Sequence, residues 1–107
     1  MKKIETLVSQ FDIEIQKEIK IVQAKFSGNV VKLKMLKEKL DFIENKKIGL
    51  IESTKQILNF LKGRGMTDVR VKGRSHTHEQ VVIDSFAIEL SALMFMLESF
   101  VNDLIMA

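Results

Sequence analysis

The sequence predicts an all-α fold: an antiparallel three-helix bundle, built from a helical hairpin and a third long helix, with coiled-coil-like packing. Three observations carry this. The 107 residues contain no proline, tryptophan or tyrosine, so the strongest helix breaker and much of the usual punctuation of small β folds are missing. Large aliphatic side chains recur three and four residues apart over three long stretches, which is the period of a helix face and not the alternation of a strand. Four of the five glycines lie between those stretches, where chains turn.

The first helix is expected over residues 3–26. Ile4, Leu7, Val8, Phe11, Ile15, Ile19, Val22 and Phe26 share a face, and Ile4, Ile15 and Phe26 stand eleven residues apart. Ile13 and Ile21 widen the stripe, so this helix should touch two neighbours. Ser27-Gly28-Asn29 ends it. Gly28 can take the left-handed position after a helix, and Asn29 can cap the helix that follows. So short a turn folds the second helix back along the first.

Residues 30–62 hold a heptad register through Leu33, Leu36, Leu40, Ile43, Lys47, Leu50, Thr54, Ile57 and Leu61. Asn45–Gly49 resembles a helix end and Ser53–Gln56 a capping box. An interruption would normally reset the register, so the unbroken steps argue for one helix about 49 Å long. Lys47 and Thr54 fall at core positions, where the favoured reading of the lysine is a stem snorkelling to water.

The third helix, 78–106, repeats the heptad with Ile83, Phe86, Leu90, Leu93, Leu97, Phe100 and Leu104. Val81, Val82, Ile88, Met94, Phe95 and Met96 make its other sides apolar as well, so it is expected to be buried on most sides. The seven phenylalanines, all within the helices, read as core. Membrane insertion is not expected, because Glu89 and Glu98 would lie near mid-bilayer and no aromatic or basic belt flanks the stretch.

Charge is distributed unevenly. The net +3 combines thirteen lysines against eight acids in 1–62, four bases against Asp68 in 63–78, and five acids with no base in 79–107. The positive charge therefore has an acidic counterpart inside the chain. The chain has no cysteine, which excludes disulfides and zinc–thiolate sites, and its N-terminal segment has no apolar signal core; both point to the cytoplasm.

The basic connector, 63–77, completes the plan as one domain over 1–107. With its flanking residues Lys62 and His78 it holds all three arginines and both histidines. Arg70, Lys72, Arg74, His76 and His78 alternate with Val69, Val71, Gly73, Ser75 and Thr77. In an extended chain that period of two would line the cations along one edge. Arginine's planar fork suits two-point contact with carboxylate or phosphate. Arg64, Arg70, Lys72, Arg74, His76 and His78 are therefore the candidate contacts for an acidic protein or a nucleic-acid backbone. The competing reading is a solvated segment whose charges answer the acidic third helix. No aromatic group accompanies the strip, so nucleic acid would be held by phosphate alone.

The sequence carries no catalytic or cofactor motif. His76-x-His78 followed by Glu79 could offer three metal ligands but lacks a clear fourth. Thr77-His78-Glu79-Gln80 also reads as a capping box, which accounts for the same residues structurally. These features describe a non-enzymatic helical protein-interaction module, such as an assembly adaptor or small chaperone-like protein, without cofactor or metal. The alternative is a polyanion- or nucleic-acid-binding accessory protein acting through residues 62–78. Six methionines make the packing adaptable, and the width of the apolar stripes predicts a homodimer or higher oligomer. Replacing Arg70, Lys72 and Arg74 by glutamine is expected to leave stability within about 0.5 kcal/mol. If the strip binds polyanions, the same variant should lose affinity in a salt titration, with a slope shallower by up to about three counterions.

Overall fold

Three helices carry the fold: α1 (Lys2–Lys25), α2 (Val30–Arg64) and α3 (His78–Met106). Two three-residue strands, β1 (Val69–Val71) and β2 (Arg74–His76), lie in the connector between α2 and α3. The structure, a computed structural model, describes residues 2–64, 69–71, 74–76 and 78–106. The helices pack together, with α3 against both α1 and α2 while those two touch each other least. The molecule is 55 Å in its longest dimension, close to the roughly 52 Å that a helix of α2's length spans at 1.5 Å per residue.

Local chemistry sets the first turn. After the Phe26 amide bonds the Val22 carbonyl (2.8 Å), Gly28 takes φ 81°, the left-handed conformation open to glycine. Asn29 then caps α2, its Oδ1 accepting from the Lys32 amide (3.1 Å) while its carbonyl accepts from the Leu33 amide (3.0 Å). From there α2 runs unbroken past Asn45–Gly49 and Ser53–Gln56. The local stop signals yield to the apolar face that continues through them.

That face does not keep the heptad. The buried positions of α2 are Leu36, Ile43, Lys47, Thr54 and Leu58, in which 36, 47 and 58, and likewise 43 and 54, are eleven apart. Ile57, expected in the core, is 48% exposed, and Leu58 beside it is 4% exposed. In α3 the buried set likewise passes from Phe86 and Leu90 to Leu97 and Val101, and Phe100 is only half-buried. A straight helix drifts about 20° per heptad. Such drift, accumulated over several turns, carries the core contact on by one residue, from Ile57 to Leu58 in α2 and from Phe100 to Val101 in α3. The heptad positions Thr54, Leu97 and Leu104 remain buried, so the register read from the sequence slips locally, at Leu58 and Val101, without being lost.

α3 is not buried on most sides. Its core residues, Phe86, Leu90, Leu97, Val101 and Leu104, form one seam, whereas Ile88 and Phe95 are 69% and 71% exposed. Phe42, Phe60 and Phe95 are all exposed, so three of the seven phenylalanines lie outside the core expected for them. Two neighbouring helices cannot surround a third whose apolar residues extend around most of its circumference.

The connector is not a single extended row either. β1 and β2 pair antiparallel, with Val69 opposite His76, Arg70 opposite Ser75 and Val71 opposite Arg74. The chain reverses between Arg70 and Arg74, which places them on different strands.

The slipped register makes a testable contrast between adjacent residues. In urea denaturation Leu58→Ala is expected to cost ~2–5 kcal/mol, the usual range for emptying a core leucine. Ile57→Ala should cost under about 1 kcal/mol. Equal losses at the two positions would restore the heptad reading.

Candidate functional site

The six candidate residues of the connector do not form one described cluster. Arg64 closes α2, Arg70 lies in β1, and Arg74 and His76 lie in β2. Lys72 lies outside the described residues, as do Asp68 and Thr77. His78 opens α3, and its Nδ1 is buried without a hydrogen-bond partner among the described residues. Gln80, expected to complete a cap, accepts from Lys3 Nζ (2.8 Å) and donates to Asp84 Oδ1 (2.7 Å), tying α1 to α3. Among the described residues no three His, Asp or Glu side chains are gathered as a metal site.

Lysines of α2 organise the charge between helices. Lys47 is only 7% exposed. Its stem fills a core position, and its Nζ donates to Asp12 Oδ1 of α1 (3.0 Å) and pairs with Glu44 Oε2 one turn back (2.9 Å). Snorkelling describes the stem, but the ammonium ends in an ion-pair fork that links α1 to α2 and not simply in water. Burial pushes its pKa down. The hydrogen bonds to Glu44 and Asp12, with their charges, outweigh this and leave it above 10.5. Lys32 donates to the Leu104 carbonyl (2.9 Å) in the last turn of α3, a turn with no base of its own. A cation from α2 thus meets the negative end of the α3 dipole. Lys32 Nζ also lies 4.4 Å from the centre of the Phe26 ring.

Between α1 and α3 acids meet acids. Glu18 is raised above 4.5, first by burial, then by Glu98 of α3 and by Glu14. Its ionised form is thus disfavoured in the folded state, and it contributes least to stability at pH values above its folded pKa.

Part of the surface that this arrangement leaves open runs along α2 and α3. A groove of about 550 Å³ lies between them, lined on α2 by Lys46, Gly49 and Ser53 and on α3 by Glu89, Ala92 and Leu93. The small residues keep its floor low. A Cβ built on Gly49 would meet nothing within 4 Å. Met35 and Phe42 precede Gly49 at seven-residue spacing on the same flank of α2, and Phe60 follows Ser53 by seven; all three large residues are exposed. Lys39 and Lys46 stand over the Phe42 ring at 5.4 and 5.5 Å, and Lys39 also reaches the Phe100 ring of α3 at 5.6 Å. Glu89 borders the groove from α3, and Met96, seven residues on, is exposed.

Sequence reasoning missed this flank because it assigned every phenylalanine to the core. The available signal was the run Met35, Phe42, Gly49, a second seven-residue spacing beside the main stripe. A second groove, of about 430 Å³, lies between α1 and α3 beside Lys3, Leu7, Gln80 and Ile83. By length and composition α3 is also apolar enough to cross a membrane. Comparison with protein-family models, curated proteins and solved structures finds no match for this chain. Its own surface chemistry is what a functional reading can rest on.

The Lys47 fork makes a prediction in pH. Because its folded pKa is raised, the stability it contributes is fully present below 10.5 and is lost as pH rises through the folded value. Lys47→Met keeps the stem and leaves the half-exposed Asp12 and Glu44 to water, so it is expected to change stability at pH 7 by within about 1 kcal/mol. In denaturant midpoints measured against pH, the variant should lose part of the wild-type decline above pH 10.5. Identical alkaline profiles would show that the fork carries no such linkage.

Proposed function

We propose that this chain is a non-enzymatic helical protein-interaction module, an assembly adaptor or small chaperone-like protein of the cytoplasm, active as a homodimer or higher oligomer. In this reading α1, α2 and α3 form an antiparallel bundle, α2 running against the other two. The pairings Asp12 with Lys47, Lys32 with Leu104, and Lys3 with Gln80 support it. The observation that carries the function is the apolar surface left by three helices: Phe42, Phe60, Ile88 and Phe95 are all exposed. A water-facing surface of that kind marks an interaction site.

Protein is preferred to membrane as what this surface meets. α3 contributes five residues to the shared core, and Glu89 and Glu98 interrupt its open sides, where an acid is costly in lipid. Side chains of the groove offer hydrophobic contact edged by single charges, which suits an amphipathic helix.

A hydrophobic dye whose fluorescence rises on apolar surface tests the reading. The wild type is expected to bind it, and Ile88→Ser with Phe95→Ser should reduce the signal without lowering the melting temperature. Absence of dye binding by the wild type, together with indifference of light scattering to concentration, would remove the interaction reading. A complex with mixed-sequence nucleic acid that weakens steeply with salt would instead favour the polyanion-binding alternative.

A further inference from the structure

The open α2/α3 face carries opposite charges on its two edges. Lys39 and Lys46 lie along the α2 edge against Phe42, and Glu89 lies on the α3 edge. α3 has no lysine or arginine at all, while α2 has nine basic residues against four acids. This restricts what the face can pack against. Laying α3 on a second α3 would bring acid to acid, and α2 on α2 would bring lysine to lysine. Crossing the pair, with α2 on α3, matches the signs at both edges.

Resting on the interaction reading above, we propose that the α2/α3 face is the seat of a second copy of this chain, packed so that α2 of each copy lies over α3 of the other. A two-fold axis along the helices in the contact plane generates this arrangement, and each copy then makes the same contacts. Such an axis preserves height. Lys46 and Glu89 line the same groove within one chain, so in the pair Lys46 of each copy stands level with Glu89 of the other.

The two Phe42 rings and Met96 side chains fill the space between, over the low floor at Gly49 and Ala92. The size is sufficient. Over the roughly 44 Å spanned by the 29 residues of α3, two helices side by side present a strip about 20 Å wide, on the order of the 800 Å² per partner of a standard stable interface. The contact closes on itself, so the assembly stops at two.

Sedimentation equilibrium of the full chain and two charge reversals test the arrangement. The wild type is expected at twice the 12.3 kDa chain mass. Lys46→Glu and Glu89→Lys each place like charges across the contact twice, and each should weaken dimerisation about tenfold or more. Mixed together they should form a one-to-one heterodimer. The carboxylate introduced at position 46 of one chain then meets the ammonium introduced at position 89 of the other, and the remaining wild-type pair is also opposite in sign. Within each variant chain the two residues stay like-charged, so recovery on mixing reports the contact between copies.

Helical circular dichroism confirms that the variants fold. Phe95→Ser, at a side chain that does not line the groove, should leave the dimer intact. A wild type that remains monomeric at high micromolar concentration overturns the dimer; if it still binds the dye, the interaction reading survives and a different partner is implied. Single reversals without effect, a mixture that stays monomeric, or loss of the dimer with Phe95→Ser would each overturn the crossed packing.

Discussion

The structure depends on one seam of α3, Phe86, Leu90, Leu97, Val101 and Leu104, against which both other helices close. Removing these side chains from water is the main source of stability available to a chain without disulfides. α1 and α2 touch each other least, so each owes its position largely to α3. What joins α1 and α2 directly is the tight turn at Gly28-Asn29 and the reach of Lys47 to Asp12.

The same seam explains the exposed surface. A helix presents about a hundred degrees of its circumference to a core, and two neighbours flank that arc. No third helix among the described residues covers the exposed Ile88 and Phe95 of α3 or Phe42 of α2. Their exposure follows from helix count and composition together, and it is the physical basis for reading the protein as one that associates.

Charge works on a different scale from the core. Lys32 answers the carbonyl end of α3, Lys47 holds α1 to α2, and Lys39 and Lys46 flank an exposed ring. The exposed contacts of Lys39 and Lys46 add little stability, in contrast to the buried Lys47. They do define orientation, because α2 is basic where α3 is acidic, and the same sign difference that suits the helices to each other within one chain is available at the open face.

The all-helical class, the three long helices, the stop at Gly28 and the cap at Asn29 were legible in the sequence, because period, propensity and capping act over a few neighbouring residues. Heptad spacing also placed Phe86, Leu90 and Leu97 correctly. Tertiary structure alone decided that Leu58 and not Ile57 enters the core, since the drift of a straight helix accumulates along its length and is settled only by the facing helix. It alone decided that Phe42, Phe60 and Phe95 stay outside: apolar character says that a side chain gains by burial, but only the number and placement of neighbouring helices determine whether there is anything to bury it against. The reversal between Arg70 and Arg74 is of the same kind, because alternation describes a strand equally well whether it continues or turns back to pair with itself.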